Sequence, residues 1–529
     1  MSVHHEGTSA QPPAGRSLWR DGRAPLVTPP FEPGAAYDVV VVGAGLTGLS
    51  TALMLARAGR RVAVLEAFDI GALATGNTTG KVSLLQGSRL STIRSHHSRL
   101  ILRAYVDMNR EGQEWLLGFL DEAGVPVQRR TTYSYAQTQE ARAAEAVEAE
   151  FRAAREAGLP VSLVRPDEVD VPFPFAFGVS LADQAQIDAM AALDALARAL
   201  LAEGGVIHTG TRVTGVRASE PAIVRTSRGD VRAGSVVLAT AVPILDRGLY
   251  FTKVQGLRSY GLAFQIPDVG EADLPEGMFL SIGDSSSAES RSVRTAPRGD
   301  TDLLVVGGDG HTVGRAGERT ERDRVEELTR WTAEQWPGAQ LTHAWSAQDY
   351  ESHNLIPFVG ALPRGRGRVF LATGYAKWGL TNAVGAAIRL TDELTGAERD
   401  ARGHWQTVLG TRLTRPADLA RGAAAGASVG LETAKGWLGA QTRATPVPRP
   451  REGHGVVANS GGRPVGISTV DGRTCAVTAV CPHLGGVLEW NDAERSWDCP
   501  LHASRFAADG TRLEGPAVTD LKTVPRIRG

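Results

Sequence analysis

Tyr37-Asp38-Val39-Val40-Val41-Val42-Gly43-Ala44-Gly45-Leu46-Thr47-Gly48, read on to Glu66, is the stretch that decides the fold. Val39 to Val42 form a β-branched apolar run suited to a strand buried on both faces. The run enters a G-x-G-x-x-G turn. Its first glycine permits the tight turn, its second lets backbone approach a pyrophosphate, and its third lets the next helix pack close. That helix, about Leu49 to Ala58, aims its N-terminal N–H groups at the phosphates. Arg61-Val62-Ala63-Val64-Leu65 reads as a second strand with Glu66 at its tip, where an acid accepts hydrogen bonds from a ribose. Gly43, Gly45, Leu46, Thr47, Gly48 and Glu66 are therefore candidate dinucleotide-binding residues.

At 529 residues the chain is too long for one core, and three or four folding units are expected. A formal net charge of −1 argues against a nucleic-acid surface. The absence of a run of eighteen apolar residues argues against a membrane span. Residues 1–36, rich in Pro and Gly and without an apolar centre, read as a flexible extension. The three cysteines all lie between Cys475 and Cys499, which does not suggest a disulfide scaffold. A cytoplasmic protein is the simplest expectation.

Outward from the opening motif, Gly76-Asn77-Thr78-Thr79-Gly80-Lys81 reads as a loop at the carboxyl end of a strand, beside a ligand. Leu90 to Leu120 reads as one long helix, with His96 and His97 on its solvated face, and Gln139 to Ala157 and Gln186 to Glu203 as further helices. Short strands at 205–208 and 211–216 and a buried strand Ser235 to Thr240 rejoin the nucleotide unit. Alternating segments between Leu257 and Gly308 predict an antiparallel sheet that roofs a substrate cavity. Val306-Gly307-Gly308-Asp309-Gly310 is read as a strand-ending turn, not a second nucleotide site. Arg368 to Gly374 is a strand entering glycines, followed by Tyr375 to Asn382 and a helix from Thr381 to Leu394. The expected divisions are nucleotide-binding parts at 37–85, 186–245 and 345–400, and substrate parts at 86–185 and 246–344. A linker follows at 401–450, with a weak helix at 417–440 and the Pro-rich run Thr445 to Pro450. An all-β unit is expected over 451–529.

The combination of this G-x-G-x-x-G and Glu66, the strand ending at Thr240, and Ala372-Thr373-Gly374 with Gly379-Leu380-Thr381 resembles the FAD-dependent D-amino-acid oxidase and glycine oxidase superfamily over roughly residues 37–400. The resemblance implies an α/β, Rossmann-like, doubly wound FAD-binding domain with an inserted antiparallel-sheet substrate domain. The first motif would hold the ADP half of FAD and Glu66 the ribose. Arg212 and Val213 would meet the adenine side. The turn at Gly374 to Thr381 would set a helix N-terminus against the flavin's N1–C2=O edge. Thr78, Thr79 and Thr240 complete the cofactor-binding candidates. Ala241 stands where the family often has Gly. Lys377, Trp378 and Tyr260 are the candidate catalytic residues. Asp349, Tyr350 and His353 are candidates to line the cavity near the ring. Amine oxidation by hydride transfer from the neutral amine needs no obligatory base, and none is assigned.

Cys481-Pro482-His483 and Cys499-Pro500-Leu501-His502 are separated by fifteen residues. Two Cys/His pairs on neighbouring loops suit a Rieske [2Fe–2S] centre, with zinc as the rival for such a set. The spacing, with Gly485-Gly486 and Ser504, resembles the Rieske family. It implies Cys481 and Cys499 on a buried iron and His483 and His502 on an outer, solvent-near iron. Cys475, without a patterned partner, is expected as a small core residue. Gly486 and Leu501 occupy the positions of an inter-loop disulfide in high-potential members. Phe506 stands where those members have a tyrosine near a cluster sulfur. Fewer hydrogen bonds to sulfur predict a potential toward the lower part of the range of about −150 to +300 mV.

Flavin and Rieske parts in this order resemble a bacterial family of FAD-dependent oxidoreductases with a fused Rieske module. Matching stretches include Asn77-Thr78-Thr79, Arg258-Ser259-Tyr260, Lys377-Trp378-Gly379 and Ser496 to Pro500. The expected function is oxidation of a small amine or amino acid, with electrons exported singly to a one-electron acceptor. The alternatives are a reductase feeding the cluster for a partner, and a non-catalytic carrier or redox sensor.

Overall fold

The computed structural model describes residues 15–267, 274–282, 290–299, 301–315, 317, 319–398, 402–410, 437–438 and 449–525. The valine run forms the strand Ala36–Val42 at the heart of an eight-stranded sheet. Parallel neighbours are Gly229–Leu238 on one side and Val62–Leu65 on the other, flanked by Val369–Thr373 and Val206–His208. Val40, Val41, Ala63, Val64, Val236 and Val237 have no exposure, as befits strands covered on both faces. The helix Leu46–Arg57 follows the turn, and Gly379–Thr395 packs beside it. Both start a little earlier than the sequence suggested, so Leu46 and Thr47 belong to the first helical turn.

A second, nine-stranded sheet stands over the first. It is antiparallel except where Met278–Ser281 runs parallel to Val127–Ala136. The boundary expected at 345 falls inside one strand, Gln340–Ser352, which pairs along its length with Val254–Gln265 and so belongs to this second sheet. Gly307 to Gly310 likewise end no strand. They lie inside Thr301–Thr312, and a Cβ at Gly308 would sit 2.0 Å from the Ser290 carbonyl oxygen, so glycine permits a close approach of backbones there.

The expected single helix over 90–120 is two, Arg89–His96 and Arg99–Glu122. The Ser98 hydroxyl caps the second, and His97 between them is buried, its Nε2 2.6 Å from the Asn354 carbonyl oxygen. His97 is thus a packed corner and not part of a solvated face. The extension expected over 1–36 is laid onto the core in its described part, with Leu18 and Trp19 buried because their apolar surface meets the main cluster. The weak helix expected over 417–440 lies outside the described residues apart from 437–438.

The C-terminal unit is built from a three-stranded sheet, Gly455–Ser460, Arg463–Val470 and Arg473–Thr478, and a four-stranded one between Glu489 and Glu514. Trp497 and Phe506 fill its core beside Cys481 and Cys499, while Cys475 is half-buried on a strand. No helix among the described residues is long and apolar enough to cross a membrane.

Candidate functional site

Glycine is required at the turn for steric reasons. Gly43 has φ +108°, and a Cβ there would lie 2.5 Å from the Ala239 carbonyl oxygen. At Gly48 a Cβ would lie 1.9 Å from the Gly43 carbonyl oxygen. Gly48 therefore permits helix–strand contact and does not face the cavity, whereas Gly43, Gly45, Leu46 and Thr47 do. The Glu66 carboxylate accepts from the backbone N–H groups of Ala44 at 2.8 Å and Phe68 at 2.9 Å. Burial pushes its pKa up, and those N–H groups together with Arg212 pull it back.

From this turn a cavity of about 410 Å³ runs between the two sheets. Glu66, Arg212, Val213 and Thr240 line it from the nucleotide unit, and Thr78 and Thr79 line it from a loop held by Trp345 and Arg294 of the second sheet. Tyr260, Asp349, Tyr350, Gly374, Lys377, Trp378, Gly379 and Leu380 also line it, and His353 does not. Thr381 is buried outside the lining, its hydroxyl bonded to Asn109 Oδ1 at 2.5 Å. Sequence position alone had grouped it with Gly379 and Leu380. Ala376 and Lys377 both have left-handed backbone, φ +50° and +72°, a strained pair held where the chain turns into the helix. The Tyr260 hydroxyl is 3.0 Å from His311 Nε2, and burial pushes that imidazole down to about 4. Asp349 is pushed up to about 7 by burial, with Lys377 beside it acting in the opposite sense.

Side-chain donors fix the loop before Lys81 carbonyl by carbonyl. Ser17 Oγ donates to the Gly76 oxygen. Trp345 Nε1 donates to Asn77 at 2.8 Å and Trp19 Nε1 to Thr78 at 2.6 Å. Arg294 Nη1 donates to both Thr79 and Gly80 at 2.9 Å. The N-terminal segment thereby shapes the cavity wall, which its Pro- and Gly-rich composition concealed. Lys81 itself was passed over in sequence as the end of a polar loop. Its ammonium nitrogen bonds Ser292 Oγ at 2.6 Å and Thr79 Oγ1 at 3.2 Å, and it lines the cavity. Burial, with Arg294 nearby, holds its pKa well below that of an ordinary lysine.

At the other end of the chain, the loops Cys481–His483 and Cys499–His502 meet. Both cysteines are buried, and the hydrogen bond with Cys499 lowers the Cys481 thiol below its ordinary value. The imidazoles are 5.2 Å apart, centroid to centroid. His483 Nε2 is engaged by Asp246 Oδ1 at 3.2 Å, which leaves Nδ1 for a metal. His502 Nδ1 is buried without a hydrogen-bond partner, and burial pushes the ring down to about 4, the neutral ligating form. No three His, Cys, Asp or Glu side chains among the described residues gather as around a single ion. Two thiols and two imidazoles in separate pairs fit two irons better than one zinc. The histidines are not turned to solvent as expected. Phe251 of the flavin-side region stacks edge-on against both, at 4.8 Å from His483 and 4.9 Å from His502. Apolar packing of Val242, Val254, Val313 and Tyr350 with Ala503 is what turns that face inward.

Comparison with known proteins agrees with both halves. Residues 38–393 match the family model described as FAD dependent oxidoreductase, and residues 445–525 match the Rieske [2Fe-2S] domain. The chain is 28% identical over 516 residues to YhfW of Bacillus subtilis (strain 168), described as a Rieske 2Fe-2S iron-sulfur protein, covering 97% of this chain and 98% of that one. Its fold resembles glycine oxidase from Geobacillus kaustophilus, with a TM-score of 0.56 and 20% identity over 70% of this chain and 97% of that one. It also resembles L-proline dehydrogenase from P. horikoshii, with a TM-score of 0.57 and 16% identity over 72% of this chain and 99% of that one. Bare glycine backbone at the turn, Glu66 beside it and the long cavity fit FAD, as the paired thiols and imidazoles fit a [2Fe–2S] cluster. The chain belongs to the FAD-dependent oxidoreductase family and carries a Rieske [2Fe–2S] domain at its C-terminal end.

Proposed function

We propose that the protein oxidises a small amine or amino acid and passes the electrons singly through the Rieske cluster to a one-electron acceptor. Bound FAD supplies a two-electron acceptor, and the cluster a one-electron relay. The observation that carries this reading is the contact of Phe251 with both cluster histidines. Residues 239–252 lead from the cavity, where Ala239, Thr240 and Ala241 line it, to the turn Tyr250–Thr252 that bears Phe251. One short segment therefore links the two redox sites.

An amine substrate arrives in water mainly as its ammonium form, which has no lone pair from which to expel a hydride. Lys81 is suited to accept that proton. Its two hydroxyl partners, Thr79 and Ser292, occupy two of its three hydrogen-bonding positions, which leaves one toward the cavity. Burial favours its neutral form, which leaves a lone pair on Nζ able to accept the proton from the substrate nitrogen. Residues of the second sheet and of the segment Gly374 to Leu380 together line the cavity in which this transfer would occur.

The test is anaerobic absorbance with low-temperature electron paramagnetic resonance (EPR), before and after adding a panel of primary and secondary amines and amino acids. Bleaching of the flavin followed by a Rieske signal is the expected result. A cluster signal with dithionite but no bleaching by any member of the panel overturns the reading.

A further inference from the structure

The flavin-family region does not close its cavity alone. Arg512 to Gly515, from the Rieske domain, line it together with Glu66, Phe68 and Arg212. The Arg212 guanidinium lies over the Phe68 ring, 4.5 Å from its centroid, and donates to the Arg512 carbonyl oxygen at 3.0 Å. Arg512 is 3% exposed. Its Nη1 donates to the Ala517 carbonyl oxygen at 2.7 Å, while its Nε is buried without a hydrogen-bond partner. The Tyr350 hydroxyl reaches the Gly515 carbonyl oxygen at 3.4 Å, so the strand Arg512–Glu514 is seated at both ends.

Arg212 meets the Arg512 backbone at this wall, and the like charges of the two side chains oppose each other. Burial, then the charge of Arg212, lowers the Arg512 pKa to about 10, with Asp520 acting in the opposite sense. Such a pair at a cavity wall is completed by a ligand rich in acceptors or negative charge. The neighbouring Glu66 marks the ribose end of the dinucleotide.

We infer that the Rieske domain supplies an outer wall of the FAD site, with Arg512 a binding residue for the adenosine half and Arg212 stacked beside it. The inference rests on the reading that Glu66 marks the adenosine end. Its consequence is reciprocal: a docked Rieske domain tightens FAD binding, and FAD holds the domain docked by the same factor.

The experiment uses the full chain with its cluster in place, FAD removed and titrated back, and affinity read from flavin fluorescence. Arg512→Met is expected to weaken FAD by roughly tenfold or more, the loss of a hydrogen bond from a charged group. AMP, which probes the adenosine half, is expected to lose affinity as well, with the EPR signal of the reduced cluster unchanged. Unchanged FAD affinity, or weaker FAD with unchanged AMP, overturns the inference. Glu66→Ala separates the underlying reading: if that variant binds FAD and AMP normally, the adenosine end has been misplaced, whatever Arg512 does. Should Arg512→Met lose its cluster, the unmodified protein decides. Saturating FAD is expected to raise the temperature at which the cluster absorbance is lost, and no shift overturns the coupling.

Discussion

Asp498 and Arg258 face each other at 3.4 Å across the junction of the Rieske and flavin regions, with side chains 2% and 0% exposed. Burial pushes the Asp498 pKa up, but Arg258 and Arg505 more than offset it, so the carboxyl is held below its usual range. Arg258 also bonds Ser346 Oγ at 2.6 Å and Gln348 Oε1 at 2.8 Å. The Asp498 charge is thus shared between Arg258 of the flavin region and Arg505 of its own domain, one residue from the cluster ligand Cys499.

Removing Arg258 leaves Asp498 to share Arg505 with Glu494 and Glu514, so part of the cost of about 3–5 kcal/mol for breaking a buried pair is expected. Arg258→Met is expected to lower the denaturant midpoint of the Rieske domain, followed by its cluster absorbance, far more than that of the flavin. Because the folded pKa of Asp498 is depressed, its contribution is present above the ordinary carboxylate pKa and is lost as pH falls through the folded value. Coincident and unchanged midpoints in the variant would contradict this account.

Phe506 is fully buried beside Cys481 and Cys499. A hydroxyl introduced there would donate to a cluster sulfur and stabilise the reduced state. Phe506→Tyr is expected to raise the cluster potential, by roughly 40 mV for a hydrogen bond of about 1 kcal/mol and one electron. An EPR-monitored redox titration measures it, and a fall in potential would be the wrong sign.

Lys81→Met is expected to slow flavin reduction by an amine about 100-fold or more at neutral pH, the scale of general-base catalysis. In the parent protein the rate should rise with pH through a pKa well below that of an ordinary lysine, as the amine becomes neutral. The variant should lose that rise, apart from the substrate's own ionisation. Stopped-flow traces across pH decide, and a retained lysine-dependent limb would exclude Lys81.

Trp19 is 2% exposed, donates to the Thr78 carbonyl oxygen at 2.6 Å, and underlies the Arg294 guanidinium. Trp19→Ala is expected to cost about 3 kcal/mol in stability through cavity formation. The loop at 76–80 would lose one of its fixed carbonyls, so FAD should bind more weakly. Calorimetry and flavin titration measure the two effects, and loss of stability with unaltered FAD affinity would separate the segment from the site.

What was legible in sequence was local. The strand–turn–helix–strand run from Val39 to Glu66 and the two Cys/His pairs announce themselves because their chemistry needs fixed residue types at short spacing. Thr381, placed by spacing on the cavity, instead bonds Asn109. Lys81 escaped notice because only its partner Ser292, 211 residues away, and its own burial make it unusual. The histidine pair was expected toward solvent, since nothing in either loop encodes the approach of Phe251.

The sequence by itself determined the two cofactor units and their order. Only the tertiary structure decided how they meet: Arg258 on Asp498, Phe251 on the histidines, and Arg512 in the wall of the FAD cavity. The physical reason is that motif geometry is written in contacts a few residues apart. Docking arises from complementary charge and apolar surface between segments hundreds of residues distant, where periodicity and spacing carry no signal.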